Sequence, residues 1–305
     1  MKNTRTRLAL ALVAVSTAAL ALAGCASSAD PLDGGSAGGD ATGDSSSIVI
    51  GSQAYYSNEI IAEIYAQALE GAGFTVERQF NIGQRDAYLP SLEDGSIDLF
   101  PEYTGNLLQY YVPDAKATTS DDVYAALKDA LPEGLTVLDQ SPATDQDSYN
   151  VTAAFAKENN LSSIEDLAGL PGLVLGGAPE LETRPYGPSG LKELYGVDVT
   201  FNPTADTTVA ELVAGNIQVA NVYSADPRIK TNDLVTLADP KGLFLASNVV
   251  PLVNADVADK IAEVINPVSA ALTPEGLVAL NVESTDDQRS AKDIAKDWLA
   301  ANNLG

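Results

Sequence analysis

Two stretches far apart in the chain align without a gap: SLEDGSIDLFPEYT at 91–104 and ELVAGNIQVANVYS at 211–224. Leu92 meets Leu212, Gly95 meets Gly215, Ile97 meets Ile217 and Tyr103 meets Tyr223. Each copy reads as the end of a helix, a glycine that stops it, and a short apolar strand. The first strand is expected to stop at Pro101. Each copy then delivers a tyrosine beyond its strand, where a loop usually carries small polar residues. The segments upstream correspond too. IVIG at 48–51 reads as a buried strand ending in glycine. NEIIAEIYAQALE at 58–70 places Ile60, Ile61, Ile64, Tyr65 and Ala68 at helical spacing, with Gly71 and Gly73 to end the helix. From residue 173, LVLGG is again a strand ending in glycine, and a helix ending at Leu194-Tyr195-Gly196 follows.

Alternating strands and helices build mostly parallel sheets with both faces covered. Ligands of such sheets bind beyond the carboxyl ends of the strands. Two copies facing each other across a cleft would present Tyr103 and Tyr223 from opposite sides.

The start of the chain sets its compartment. MKNTRTR is a positive segment, LALALVAVSTAALALAG is apolar and of signal-peptide length, and small residues precede Cys25. Leu22-Ala23-Gly24-Cys25 resembles a bacterial lipobox, which implies cleavage before Cys25 and lipid attached to it. Cys25 is the only cysteine, so no intrachain disulfide forms. Nothing later is apolar for long enough to span a bilayer, so the expectation is a chain anchored to the membrane on its extracytoplasmic face. Residues 26–47 are rich in Gly and Ser and read as a flexible tether. The expected organisation is a leader at 1–24, a lipidated Cys and linker at 25–47, a first lobe from 48–148 plus 248–305, and a second lobe at 149–247. Hinges are expected near 149–155 and 245–250.

Charge removes one class of partner. The net charge is −25, and losing Lys2, Arg5 and Arg7 with the leader makes the rest more acidic still. Such a chain repels phosphate backbones, so no nucleic-acid partner is expected. The chain contains no histidine, so an imidazole base, a histidine-based triad and His metal ligands are all absent. No Walker, Rossmann or HExxH spacing appears. The expectation is a monomer that is not an enzyme and takes no cofactor or metal. A secreted acid/base hydrolase has no motif to support it, and a purely structural envelope protein would not need paired cleft tyrosines. Without histidine, ligand affinity is expected to be flat between about pH 6 and 8.

The segments GSQAYYSNEIIAEIYAQALEGAGF, GSIDLFPEYTGN, PELETRPYGPSGLKELYG and VYSADPRI, in this order and spacing, resemble one family. It is the glycine betaine/choline/carnitine-binding proteins of bacterial osmoprotectant ABC importers, and the similarity runs from Ile48 to Gly305. The resemblance implies an α/β fold like the type II periplasmic binding proteins: two lobes, two crossovers, and hinge closure on a small molecule. It further implies delivery of that molecule to a membrane permease.

In this family a quaternary ammonium head sits among aromatic rings. Such a head has no N–H to donate, and ring faces hold it through their quadrupole and through contact with its methyl groups. The resemblance assigns Tyr103, Tyr149 and Tyr223 to the rings. It assigns Arg184 to a carboxylate tail, which suits its bidentate geometry, and it turns Asn106 inward.

This chain departs from the pattern in two places. The family's early segment reads GSK or GSQ followed by a phenylalanine–threonine pair, whereas here it is Gly51-Ser52-Gln53-Ala54-Tyr55-Tyr56; Gln53 can donate to an anionic tail but, unlike the lysine, carries no charge. Ser247 stands where a tyrosine is common, which leaves one wall open. Tyr56 could fill that wall, or the pocket could take a bulkier betaine or an amino-acid-like solute. Tyr65, Phe74, Phe80, Tyr195, Phe201 and Trp298 are expected in the core, and Tyr186 is left open because it neighbours Arg184.

Overall fold

The computed structural model describes residues 47–305. The leader, Cys25 and most of the linker lie outside the described residues. Ten strands follow in chain order: β1 (Ile48–Gly51), β2 (Val76–Gln79), β3 (Leu99–Tyr103), β4 (Leu135–Val137), β5 (Asp147–Thr152), β6 (Val174–Gly177), β7 (Thr200–Pro203), β8 (Val219–Tyr223), β9 (Leu234–Thr236) and β10 (Val249–Asn254). They form two five-stranded sheets, ordered β2-β1-β3-β10-β4 and β7-β6-β8-β5-β9. Helices flank both sheets, and the molecule is two-lobed.

The two sheets repeat one plan. β3 is parallel to β1 and antiparallel to β10; β8 is parallel to β6 and antiparallel to β5. Each copy of the repeat therefore supplies the middle strand of its own sheet. The helices that precede these strands are Arg85–Glu93 and Thr208–Val213. Leu92 and Leu212 are both buried against their sheets. Gly95 at φ +78° and Gly215 at φ +77° turn the chain in the left-handed region that glycine adopts without penalty.

The strand of the first copy does not stop at Pro101. It runs on to Tyr103, with Pro101 facing Pro251 on β10. Two prolines cannot exchange N–H···O bonds, so this pair occupies a non-hydrogen-bonded step of the ladder, where no donor is missed.

The first lobe is centred on the helix Tyr56–Gly71. Its apolar face, Ile60, Ile61, Ile64, Tyr65 and Leu69, is buried with Ile261 and Ile265 of the helix Ala255–Ala271 and Ile294 and Leu299 of the helix Ala291–Asn302. Each such fully buried side chain is worth about 1.5–3 kcal/mol. Tyr65 and Tyr195 are buried. Phe74, Phe80, Phe201 and Trp298 pack half-buried against the cores.

The chain passes to the second sheet between β4 and β5 and returns just before β10. The two crossings run side by side: Thr144 bridges Asn248, and the Asp145 N–H donates to the Ser247 carbonyl at 3.2 Å. The first crossing therefore lies upstream of Tyr149. The stretch 149–152, expected to bend, is held inside β5 by β8 on one side and β9 on the other. Among the described residues no helix is long and apolar enough to cross a membrane.

Candidate functional site

Both middle strands end at a tyrosine, and the space beyond them is a cleft. An inner pocket of about 380 Å³, part of it open to solvent, is lined by Gln53, Tyr55, Gln84, Arg85, Tyr103, Asn106, Asp145, Glu180, Arg184, Tyr186 and Tyr223. A wider outer chamber adjoins it and shares Tyr55, Gln84, Glu180 and Tyr223 with it.

The first lobe supplies a rigid wall. Asn58, at the start of the helix Tyr56–Gly71, accepts from the Gln53 N–H at 2.9 Å and donates to the Pro101 carbonyl at 2.8 Å. Its Nδ2 also reaches the Tyr103 phenol at 3.4 Å. One side chain thus fixes both the loop after β1 and the end of β3.

Below that wall, Glu102 is fully buried and forks with Arg85 through Nε at 2.8 Å and Nη2 at 2.7 Å. Glu102 also accepts from the Tyr103 N–H at 2.7 Å and from the Tyr88 phenol. Gln53 Nε2 donates to Tyr88 at 3.2 Å. A buried ion pair holds its place when its remaining lone pairs are satisfied in this way. Here the pair brings a guanidinium to the pocket floor without leaving Glu102 unmatched.

Asn106 reaches across the cleft. Its backbone N–H donates to Ser247 Oγ at 3.3 Å, and Ser247 Oγ donates back to Asn106 Oδ1 at 2.6 Å. With the amide oxygen occupied, Nδ2 points at the second lobe and donates to Asp147 at 2.5 Å and to the Tyr186 phenol at 2.9 Å. Gly105 permits this approach, because a Cβ there would stand 2.7 Å from the Ala246 carbonyl oxygen. Ser247 is therefore a clamp on Asn106.

The second lobe presents Tyr223 from β8, and Glu180, Arg184 and Tyr186 from the segment after β6. That segment folds tightly on itself: the Gly187 N–H donates to the Arg184 carbonyl at 2.9 Å, and a Cβ at Gly187 would stand 2.0 Å from the Leu181 carbonyl oxygen. Among the described residues Arg184 makes no ion pair.

Tyr55 and Tyr223 meet across the lobes with ring centroids 5.0 Å apart, within the range of favourable aromatic pairs. The Tyr55 phenol donates to Asp145 Oδ2 at 3.2 Å. Burial, with Asp145 next in effect, pushes the Tyr55 and Tyr103 phenols well up, so both rings stay neutral.

Of the residues singled out from sequence, Gln53, Tyr103, Asn106, Arg184 and Tyr223 line the inner pocket together. Tyr149 does not. It is fully buried, its phenol donates to the Tyr186 carbonyl at 2.5 Å, and its ring meets Phe244 edge-on. Tyr149 thus supports Tyr186 from behind. Tyr56 lines only the outer chamber, edge-on to Tyr55. Sequence reasoning passed over Tyr55, Arg85, Asp145 and Glu180 as pocket residues. Tyr55 was hidden by its neighbour Tyr56, and Asp145 by the 42 acidic residues of the chain.

The chain matches the OpuAC family, the substrate-binding domain of ABC-type glycine betaine transport systems, over residues 46–301. It is 25% identical over 275 residues to the glycine betaine-binding protein YehZ of Escherichia coli K12, covering 83% of this chain and 90% of that protein. It is 24% identical over 267 residues to the carnitine transport binding protein OpuCC of Listeria monocytogenes, covering 84% and 87%. A crystal structure described as a glycine betaine/carnitine/choline ABC transporter superposes with a TM-score of 0.70 at 21% identity, covering 84% of this chain and 99% of that one. A choline-binding protein in complex with choline superposes with a TM-score of 0.61 at 15% identity, covering 84% and 89%. These two structures share the fold, and the match across almost all of the described residues settles the kinship: the chain belongs to the OpuAC family of ABC-transporter substrate-binding proteins.

Proposed function

We propose that this protein captures a small quaternary ammonium solute in the inner pocket and delivers it to an ABC permease in the membrane. The observation that carries this reading is the set of three tyrosines, Tyr55, Tyr103 and Tyr223, contributed by both lobes to one pocket. Each ring facing a desolvated cation contributes about 0.5–2 kcal/mol, and micromolar binding needs about 8 kcal/mol. Three such rings supply about 1.5–6 kcal/mol of that, and lobe closure brings them together. Gln53, Asn106 and Arg184 serve the other end of the solute, where Arg184 suits a carboxylate.

On this reading the protein is a monomeric receptor, held at the extracytoplasmic face by lipid on Cys25. The lobes hinge at the paired crossings around Asp145 and Ser247. Calorimetric titration with glycine betaine, choline and carnitine, with proline as a control, tests the proposal. Micromolar binding of at least one quaternary ammonium and none of proline is expected. Binding of proline alone would point to an amino-acid-like solute in the same cleft.

A further inference from the structure

Asp145 lies in the first crossing, between the lobes, and its side chain is almost fully buried. Oδ1 accepts the Ala225 N–H of the second lobe at 3.0 Å, and Oδ2 accepts the Tyr55 phenol of the first at 3.2 Å. Among the described residues it makes no ion pair, yet it lines the inner pocket. The groups facing it are Tyr55, Tyr56 and Ser57 from the loop after β1 and the helix that follows, and Tyr103 from β3. From the segment after β8 come the Ala225 N–H and Asp226, whose own charge is matched by Arg228. Apart from Asp226, the groups facing this carboxyl are neutral, and among the described residues no cation pairs with it.

The charges around the pocket act on different rings. Asp145 is the first charge to act on the phenols of Tyr55 and Tyr103, and it acts on Tyr56 as well. Tyr186 feels Asp147 first, opposed by Arg85 and Arg184. Asp145 therefore lines the pocket beside Tyr55 and Tyr103, and Arg184 lines it beside Tyr186.

We propose that Asp145 is the charge-selecting residue of the pocket: the solute's quaternary nitrogen lies at the Asp145 end, and its capture expels the carboxyl proton to solvent. This rests on the functional reading above and adds to it an orientation and a proton. The only bond broken is the Asp145 O–H; its electron pair stays on the carboxylate, and the solute cation replaces the proton as the neighbouring positive charge.

Burial is the main reason the carboxyl group holds a proton at all. It pushes Asp145 up to about 7, with Asp226 adding to the rise and the bonds from Ala225 and Tyr55 opposing it. A fixed cation beside the carboxylate favours the ionised form. Cation affinity must then rise as pH rises through the value in the empty pocket. The lack of histidine predicts a flat profile; Asp145 puts a titrating group in the same range.

The test uses choline, which carries the cation without a carboxylate, titrated by calorimetry from pH 5.5 to 8.5 in two buffers of different ionisation heat. The expected result is binding about tenfold tighter at pH 8 than at pH 6, with about half a proton released per choline at pH 7. Asp145→Asn should abolish the release, flatten the profile and weaken binding at pH 8. Tyr55→Phe keeps the ring but removes a bond that favours ionised Asp145, so the midpoint should move to higher pH. This second variant decides the matter if Asp145→Asn does not fold. Choline or glycine betaine binding with a constant Kd and no proton release would overturn the inference while leaving the functional reading intact. No quaternary ammonium binding at any pH would overturn both.

Discussion

Tyr103 and Tyr223 close the middle strands of the two sheets, at matching steps of two copies of one β/α unit. The match extends to their supports. Each strand follows a helix whose buried leucine, Leu92 or Leu212, packs on the sheet, and each helix is stopped by a left-handed glycine. The two tyrosines differ in what holds them. Tyr103 is buried among the first lobe's core and tied to Asn58, whereas Tyr223 is half-buried and rests on Tyr55 of the opposite lobe.

Tyr223→Ala therefore removes a ring and a cross-lobe contact without opening a core. It should weaken quaternary ammonium binding at least tenfold by calorimetry, with the thermal transition almost unchanged. Tyr103→Ala should weaken binding as much, but it also excavates the first core at a cost of about 3–5 kcal/mol, visible in denaturant titration.

Arg184 lines the inner pocket and, among the described residues, makes no ion pair. Arg184→Ala should raise the Kd for glycine betaine or carnitine severalfold and leave choline, which lacks the carboxylate, close to the wild-type value. Equal losses for both ligands would mean that the arginine shapes the segment around Tyr186 instead of meeting a tail.

Among the described residues, Glu102 is the single carboxylate that matches buried Arg85. Glu102→Gln leaves that guanidinium without its counter-charge, and it should destabilise the fold by about 3–5 kcal/mol. Chemical denaturation with choline absent reads this directly. A change below about 1 kcal/mol would show that Arg85 finds solvent through the cleft.

Asp145 should make stability fall as pH rises. Its value in the fold, about 7, lies above the ordinary 3.8, so the unfolded chain ionises first. Stability from this group is present below pH 3.8 and is lost progressively up to about pH 7. Asp145→Asn does not ionise, so its melting temperature should exceed the wild type's at pH 8 and approach it near pH 4. A pocket carboxyl kept at such a cost, when an amide would fit the same space, is consistent with a role in binding.

The repeat made the architecture legible, because a leucine, a glycine, an isoleucine and a tyrosine at fixed spacing leave one place for each: packing, turn, strand and strand end. Tyr103, Tyr223, Asn106, Gln53 and Arg184 were legible as one group from their motifs. Three features were not. Pro101 reads as a strand end, and only its partner Pro251 on β10 shows why the strand continues. Tyr149 and Tyr56 read as ring candidates, but the phase of β5 turns the first toward Phe244, and the start of the helix Tyr56–Gly71 directs the second to the outer chamber. Asp145 and Arg85 reach the pocket only through pairings distant in sequence, Asp145 with Tyr55 and Ala225, and Arg85 with Glu102.

The most direct measurement is a crystal structure of the protein grown with choline or glycine betaine. The account predicts the quaternary nitrogen in the inner pocket, within about 6 Å of the ring centroids of Tyr55, Tyr103 and Tyr223, on the Asp145 side, with the remainder of the molecule directed at Arg184. A ligand lodged in the outer chamber, or one with its nitrogen beside Arg184, would contradict it.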